Sequence, residues 1–328
     1  MKSYLFAGRV ISADRQIREL TALDAPPSQP WIEVRTTPFD ARRRRVRRWA
    51  YRWPNDDGSV SLALARRTDG YLLRFPGACD FLFESARRTI LVTPEIGVDE
   101  AIIEHLLLDQ VLPRVLSHLG EFPAHCSAVV AGQGAAIFLG RSGWGKSTLA
   151  GLMHREGCAL LSDDCVLLRP QSGRVVAVPT YRSMRLWAES LEQLFPSAEL
   201  SAGSRGAKRR LRVSGDDDEG MPRHVDAVYV LNDPAENRQT ISIDPISPAA
   251  LCLALIRHAF RLDVADRAAA ATFLGLCGAV ARSVPAFALS YPRHFVEAPT
   301  LVGTLSRHLE GVGRRRYLGS AEMMTLHD

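Results

Sequence analysis

Gly140-Arg141-Ser142-Gly143-Trp144-Gly145-Lys146-Ser147 constrains this chain more than any other stretch. It satisfies Gly-x-x-x-x-Gly-Lys-Ser/Thr in full, and its flanks suit it. The apolar, strand-like "AAIFL" precedes it and the helix-compatible "STLAGLMHR" follows. Such a loop needs each part. The glycines let the backbone curl until several N–H groups face one anion. The next helix adds partial positive charge at its N-terminus. The lysine neutralises β- and γ-phosphate oxygens, and the hydroxyl ligates Mg²⁺. The expectation is a strand–loop–helix unit in an α/β fold. Its nucleotide-binding candidates are Gly140, Ser142, Gly143, Trp144, Gly145, Lys146, Ser147 and Thr148. A chance glycine-rich turn would not explain the full pattern with both flanks.

The motif specifies a nucleotide without specifying a reaction. No guanine-reading Asn-Lys-x-Asp segment is present, which favours ATP over GTP. The nearest acids are adjacent, Asp163 and Asp164, after the strand-like run "CALLS". A strand next to a phosphate loop brings its end close to the γ-phosphate. Alternation along a strand points successive side chains oppositely, so the pair is expected to divide two jobs. One carboxylate organises Mg²⁺ and the other accepts a proton from an attacking hydroxyl. A solvated turn is the plainer reading of two adjacent aspartates. Ser147 and one of the two aspartates are the metal-ligating candidates. His125 opens the strand that enters this region; taken by itself it is either structural or catalytic.

The rest of the chain frames this site. At 328 residues and 46% hydrophobic, it suits one large domain or two modest ones. Residues 1–120 read as a β-rich region ending in a helix over 99–120 that Pro113 should kink or split. Residues 121–305 hold the phosphate loop, with helices expected over 146–156, 247–262 and 266–284, and residues 306–328 form a tail. Residues 201–223 are polar and charge-blocked and are expected to be a mobile loop. No apolar run reaches 18 residues, so no membrane span is expected. The N-terminus lacks signal-peptide features, and six scattered cysteines without a CxxC pair read as reduced thiols. Together these point to a cytoplasmic protein. The net charge of +5 comes largely from "ARRRRVRRW" (41–49) and "AKRRLR" (207–212). These runs are solvated faces or a docking surface for an acidic peptide. No helix-turn-helix, zinc-finger or RNP-type signature supports nucleic acid.

The stretch from His125 to Leu168 resembles the catalytic domain of bacterial HPr kinase/phosphorylase, which phosphorylates a serine of the phosphocarrier protein HPr. A histidine at the start of a strand, then Gly-x-Ser-Gly-x-Gly-Lys-Ser, then an Asp-Asp pair carry the likeness. His125 stands 21 positions before Lys146 and Asp164 stands 18 after it, as in that family. The resemblance implies a P-loop α/β domain of the HPr kinase/phosphoenolpyruvate carboxykinase type with a mixed sheet. It implies that Lys146 holds phosphate, Ser147 ligates Mg²⁺, Asp164 accepts the serine proton, and Asp163, a metal-ligating candidate, and His125 support it through metal or hydrogen-bond organisation. The family's second signature, a Glu-Ile-Arg-Gly-Leu-Gly-like stretch, has no counterpart. At its distance stands "PTYRSMRLWAES" (179–190). There Arg182 or Arg185 is the candidate cation and Glu189 the candidate acid, an amphipathic helix surface being the other reading.

The chain as a whole looks more like the HPr-kinase-related proteins of ribosomally made peptide pathways. Some of these resemble kinases acting on a serine near the C-terminus of a lasso-peptide precursor. "YLFAGRVISADRQIREL", "YRSMRLW" and the Lys208-Arg209-Arg210 run carry that likeness. Lys208 is a further candidate, on a loop able to close over ATP. The expectation is an ATP/Mg²⁺-dependent phosphotransferase acting on a serine of a peptide or small protein. The alternatives are a small-metabolite kinase and a non-catalytic ATP-gated switch. The bifunctional enzymes of the family form hexamers, so the resemblance allows a homo-oligomer.

Overall fold

The computed structural model describes residues 1–25, 29–39, 45–55, 57–196, 208–213 and 221–324, without side chains beyond 314. The chain forms two compact units, Met1–Leu119 with Arg261–Asp266, and Gly120–Phe260 with Arg267–Asp328. The architecture is mixed α/β with a strand-rich N-terminal region.

The first unit is built on eight strands: β1 (Lys2–Phe6), β2 (Arg9–Ala13), β3 (Ile32–Thr36), β4 (Tyr51–Pro54), β5 (Val60–Arg66), β6 (Gly70–Phe75), β7 (Cys79–Glu84) and β8 (Thr89–Pro94). They form one sheet in the order β1-β2-β3-β8-β7-β6-β5-β4. Alternation decides which side is buried: Phe81 and Phe83 of β7 and Ile90 and Val92 of β8 are fully enclosed. Helices α1 (Glu100–Leu106) and α2 (Leu112–His118) follow, with Asp99 capping the first through the Ala101 N–H. Pro113 does not split this helical run. A π-turn over Leu107–Val111 joins α1 to α2, its Leu112 N–H reaching back to the Leu107 carbonyl. Proline has no N–H for the ordinary ladder, and the wider turn absorbs the mismatch.

The second unit holds β9 (Pro123–Ala124), β10 (Cys126–Ala131), β11 (Gly134–Leu139), α3 (Lys146–Arg155), β12 (Ala159–Ser162), β13 (Val166–Gln171), β14 (Arg174–Pro179), β15 (Ser183–Leu186), α4 (Ala188–Leu194), β16 (Arg209–Arg212), β17 (Arg223–Leu231), β18 (Ser242–Pro245), α5 (Pro248–His258), α6 (Arg267–Ser283), β19 (Ala286–Ser290) and α7 (Ala298–Met324). The main sheet runs β12-β10-β11-β17-β14-β13-β9, with β19 also on β17 and β18 on β19. It is mixed: β11 and β19 lie parallel to β17, whereas β10, β12, β13 and β14 pair antiparallel. Ser172 and Gly173, at φ 48° and 74°, make the tight turn between β13 and β14.

Successive residues of β11 feed opposite faces. Phe138 joins Leu149 and Met153 of α3 and Leu301 and Leu305 of α7. Ile137 and Leu139 join Leu251 and Leu255 of α5 and Phe273 and Val280 of α6. The sheet is thus the middle of three layers.

Two elements depart from expectation. Residues 208–213, read from sequence as part of a mobile loop, include β16, which pairs antiparallel with β15. Residues 201–207 and 214–220 of that loop, and residues 41–44 of the first arginine run, lie outside the described residues. The helix expected over 247–262 stops at His258, where the backbone turns extended at Ala259.

Candidate active site

The site forms where the parallel strands β11, β17 and β19 end. That is the edge of an α/β sheet where crossovers leave a crevice. The loop after β11 carries Gly143 at φ 82° and Gly145 at φ 87°, conformations open to glycine at no steric cost. Gly145 has a second constraint, because a Cβ there would stand 2.8 Å from Arg293 Nη1. Lys146 then starts α3, with its side chain folded back over the loop. Its ammonium donates to the carbonyls of Gly140 at 3.0 Å and Arg141 at 3.2 Å. It also donates to His125 Nε2 at 3.1 Å.

That last bond fixes the histidine. Nε2 must be bare to accept, so the proton sits on Nδ1, which donates to the Asp164 carbonyl at 2.9 Å. Burial, then the Lys146 charge, pushes His125 down to about 4, so the imidazole is neutral near pH 7. Burial also lowers Lys146, against the pull of Asp164 and Asp163.

Asp163 and Asp164 lie in the turn between β12 and β13, so strand alternation is not what separates them. The Cys165 N–H donates to the Asp163 carbonyl at 2.7 Å across Asp164, which sits at φ 62°. This is a γ-turn of the strained hand. Its carbonyls are pinned. His125 holds that of Asp164, while Ser162 Oγ and Thr180 Oγ1 donate to that of Cys165 at 2.9 and 2.8 Å.

The Asp163 carboxylate is buried and heavily hydrogen-bonded. Oδ1 accepts from Ser127 Oγ, and from Ser147 Oγ at 3.1 Å. Oδ2 accepts from the Arg185 N–H at 3.0 Å. Burial and the neighbouring Asp164 raise its carboxyl above the usual range, and these three donors pull it back. A hydroxyl and a carboxylate at one point suit a hard cation that takes its remaining ligands from phosphate oxygens and water. Mg²⁺ fits that donor set. Among the described residues no three His, Cys, Asp or Glu side chains cluster as a self-sufficient metal site.

The other candidates spread around this centre. Arg185 reaches Asp163 through its backbone and lies on β15. Arg182 precedes β15, so neither lies on an amphipathic helix. Glu189 is exposed in the first turn of α4. The Lys208 ammonium stands over the Trp187 ring at 5.8 Å, and its charge lowers both His125 and Lys146. Gly140 sits tightly between Leu231 and Trp144, Ser142 lies in the exposed part of the loop, and Thr148 Oγ1 faces Ser190 Oγ at 3.4 Å.

Sequence reading missed a cavity of about 260 Å³ beside the loop, lined by Gly143, Trp144, Thr148, Trp187, Tyr291, Arg293 and Phe295. Arg293 braces its wall. Nη1 donates to the Trp144 carbonyl at 2.7 Å and to the Tyr291 hydroxyl, and Nη2 to the Asn232 carbonyl at 3.1 Å. The guanidinium carbon also stands 3.8 Å from the centre of the Tyr291 ring. Tyr291, Arg293 and Phe295 lie about 150 positions beyond the loop, and the parallel pairing of β17 and β19 brings them to it. His258 was also missed; burial, then the Lys146 charge, pushes it down to about 4.

No family model matches the chain, and no curated protein matches it. Among solved structures it is similar to the HPr(Ser) kinase/phosphatase from Coxiella burnetii. The two share 12% identity over 61% of this chain and 98% of that one, at a TM-score of 0.28. So divergent a likeness assigns neither family nor activity. All six cysteines are free, and no helix among the described residues is long and apolar enough to cross a membrane.

Proposed function

We propose that this protein is an ATP- and Mg²⁺-dependent kinase of the HPr kinase type. It transfers the γ-phosphoryl group to a serine hydroxyl of a peptide or small protein, with a lasso-peptide precursor as the candidate substrate. One observation carries the reading. Lys146 bonds to His125, His125 to the Asp164 carbonyl and Ser147 to Asp163, which gathers the five residues at the phosphate loop with Asp164 on a strained, pinned turn.

Each residue then has a task. The loop N–H groups and Lys146 hold the β- and γ-phosphates. Ser147 and Asp163 would hold Mg²⁺, which when bound would neutralise charge on the phosphates. The Asp164 carboxylate accepts the proton as the serine oxygen bonds to the γ-phosphorus and the bond to the β-phosphate oxygen breaks, releasing ADP. His125 holds the turn that aims Asp164. The aromatic cavity takes the base, with Trp144, Trp187 and Tyr291 as its contacts.

Label transfer from γ-labelled ATP tests this reading, in an extract of the source organism separated by size. Wild type should label one peptide or small protein, and Lys146→Ala should label none. Label found only in free phosphate, or bound ATP without turnover, would replace the kinase with a nucleotide-gated switch.

A further inference from the structure

After α5 the chain returns to the active-site histidine. Ala259 is extended, at φ −92° and ψ 147°, and His258–Phe260 runs antiparallel to Pro123–His125. Ala124 and Ala259 form a bridge. The His125 N–H donates to the His258 carbonyl, and the Phe260 N–H donates to the Pro123 carbonyl at 3.0 Å. The Phe260 side chain is buried. Its ring meets the His125 imidazole edge-on, with centroids 5.7 Å apart and planes at 85°.

His125 is therefore held four ways: at its backbone by His258, at Nδ1 by the Asp164 carbonyl, at Nε2 by Lys146 and across the ring by Phe260. The two ring hydrogen bonds lie in the imidazole plane. They resist in-plane displacement, whereas rotation of the ring about Cβ–Cγ swings both nitrogens out of that plane. A perpendicular ring packed alongside opposes that motion. Such rotation would carry Nδ1 away from the Asp164 carbonyl, and that carbonyl belongs to the strained turn carrying the carboxylate.

We propose that Phe260 is a positioning residue. It locks the His125 imidazole so that Nδ1–H stays on the Asp164 carbonyl and the turn that carries the Asp164 carboxylate stays pinned. The catalytic consequence rests on the kinase reading, whereas the effect on the imidazole does not. An aromatic pair of this geometry corresponds to roughly a 3- to 10-fold effect. The loss belongs in kcat, since Phe260 does not line the nucleotide cavity.

The full-length chain, labelled with ¹⁵N-histidine, tests this as wild type, Phe260→Leu, Phe260→Met and Phe260→Tyr. His125→Asn identifies the His125 signals. Leucine and methionine keep apolar bulk without a ring, and tyrosine keeps the ring. Wild type and Phe260→Tyr should show one protonated Nδ1 and one bare Nε2. The ring-free variants that fold should show averaged nitrogen shifts and roughly a 3- to 10-fold lower kcat, with KM for ATP unchanged. Wild-type shifts and kcat in either folded ring-free variant would overturn the proposal. Should wild type itself transfer no phosphate, the kinase reading falls, and the nitrogen shifts alone decide whether Phe260 holds the imidazole.

Discussion

At the residue scale, neutrality of His125 follows from its contacts. An imidazole that accepts from an ammonium at one nitrogen and donates to a carbonyl at the other has no use for a second proton. The free-state value of about 6.5 falls to about 4 on folding. Between those values the unfolded chain binds more protons than the folded one, so stability drops as pH falls from about 6.5 to 4. The loss is on the order of 3 kcal/mol for His125. Urea unfolding at pH 7 and pH 5 should show about 2 kcal/mol of it, and His125→Asn should lessen the slope. Ser127→Ala removes one of two hydroxyl donors to Asp163 Oδ1. It should cost about 1–3 kcal/mol in denaturant unfolding and raise the Asp163 carboxyl further.

At the element scale, the loop and the turn differ in how much of them shows in the sequence. The phosphate loop is local: eight consecutive residues dictate its curl, so Gly145 and Lys146 were readable before any fold. Gly145→Ala combines a left-handed φ with a contact to Arg293. It should weaken ATP binding at least tenfold in a direct titration while far-UV circular dichroism stays unchanged. The Asp163-Asp164 pair was legible as chemistry but not as geometry. Alternation assumes a strand, whereas the γ-turn depends on Thr180 and His125, 16 positions after and 39 before Asp164. The aromatic cavity and the His258–Phe260 strap were not legible, because sheet order alone brings residues 258–295 back to the loop. Likewise a helical pattern running to residue 262 does not reveal that Ala259 is claimed by Ala124. β16 was hidden by its composition, an arginine run that reads as solvated loop until β15 supplies a partner.

At the scale of the whole molecule, the chain builds its second unit from one mixed sheet between helical layers and its first from a single eight-stranded sheet. The segment Arg261–Asp266 belongs to the first unit. It is held by Arg66, whose guanidinium meets Asp263 at 2.5 and 2.8 Å. Those hydrogen bonds keep the Asp263 carboxyl below its usual range. The pair's stabilisation is therefore present above the ordinary carboxylate value and is lost as pH falls through the lowered one. Arg66→Ala should cost on the order of 1 kcal/mol at pH 7 and low salt, and less at high salt, because the arginine is half-exposed. The account as a whole rests on phosphoryl transfer with Asp164 as the proton acceptor. The most direct measurement is Asp164→Asn beside wild type, with ATP affinity and phosphorylation of the serine acceptor followed in the same preparations. The account predicts wild-type ATP affinity, within a few-fold, and transfer lowered by about 10²–10⁴. Full transfer by Asp164→Asn would contradict it.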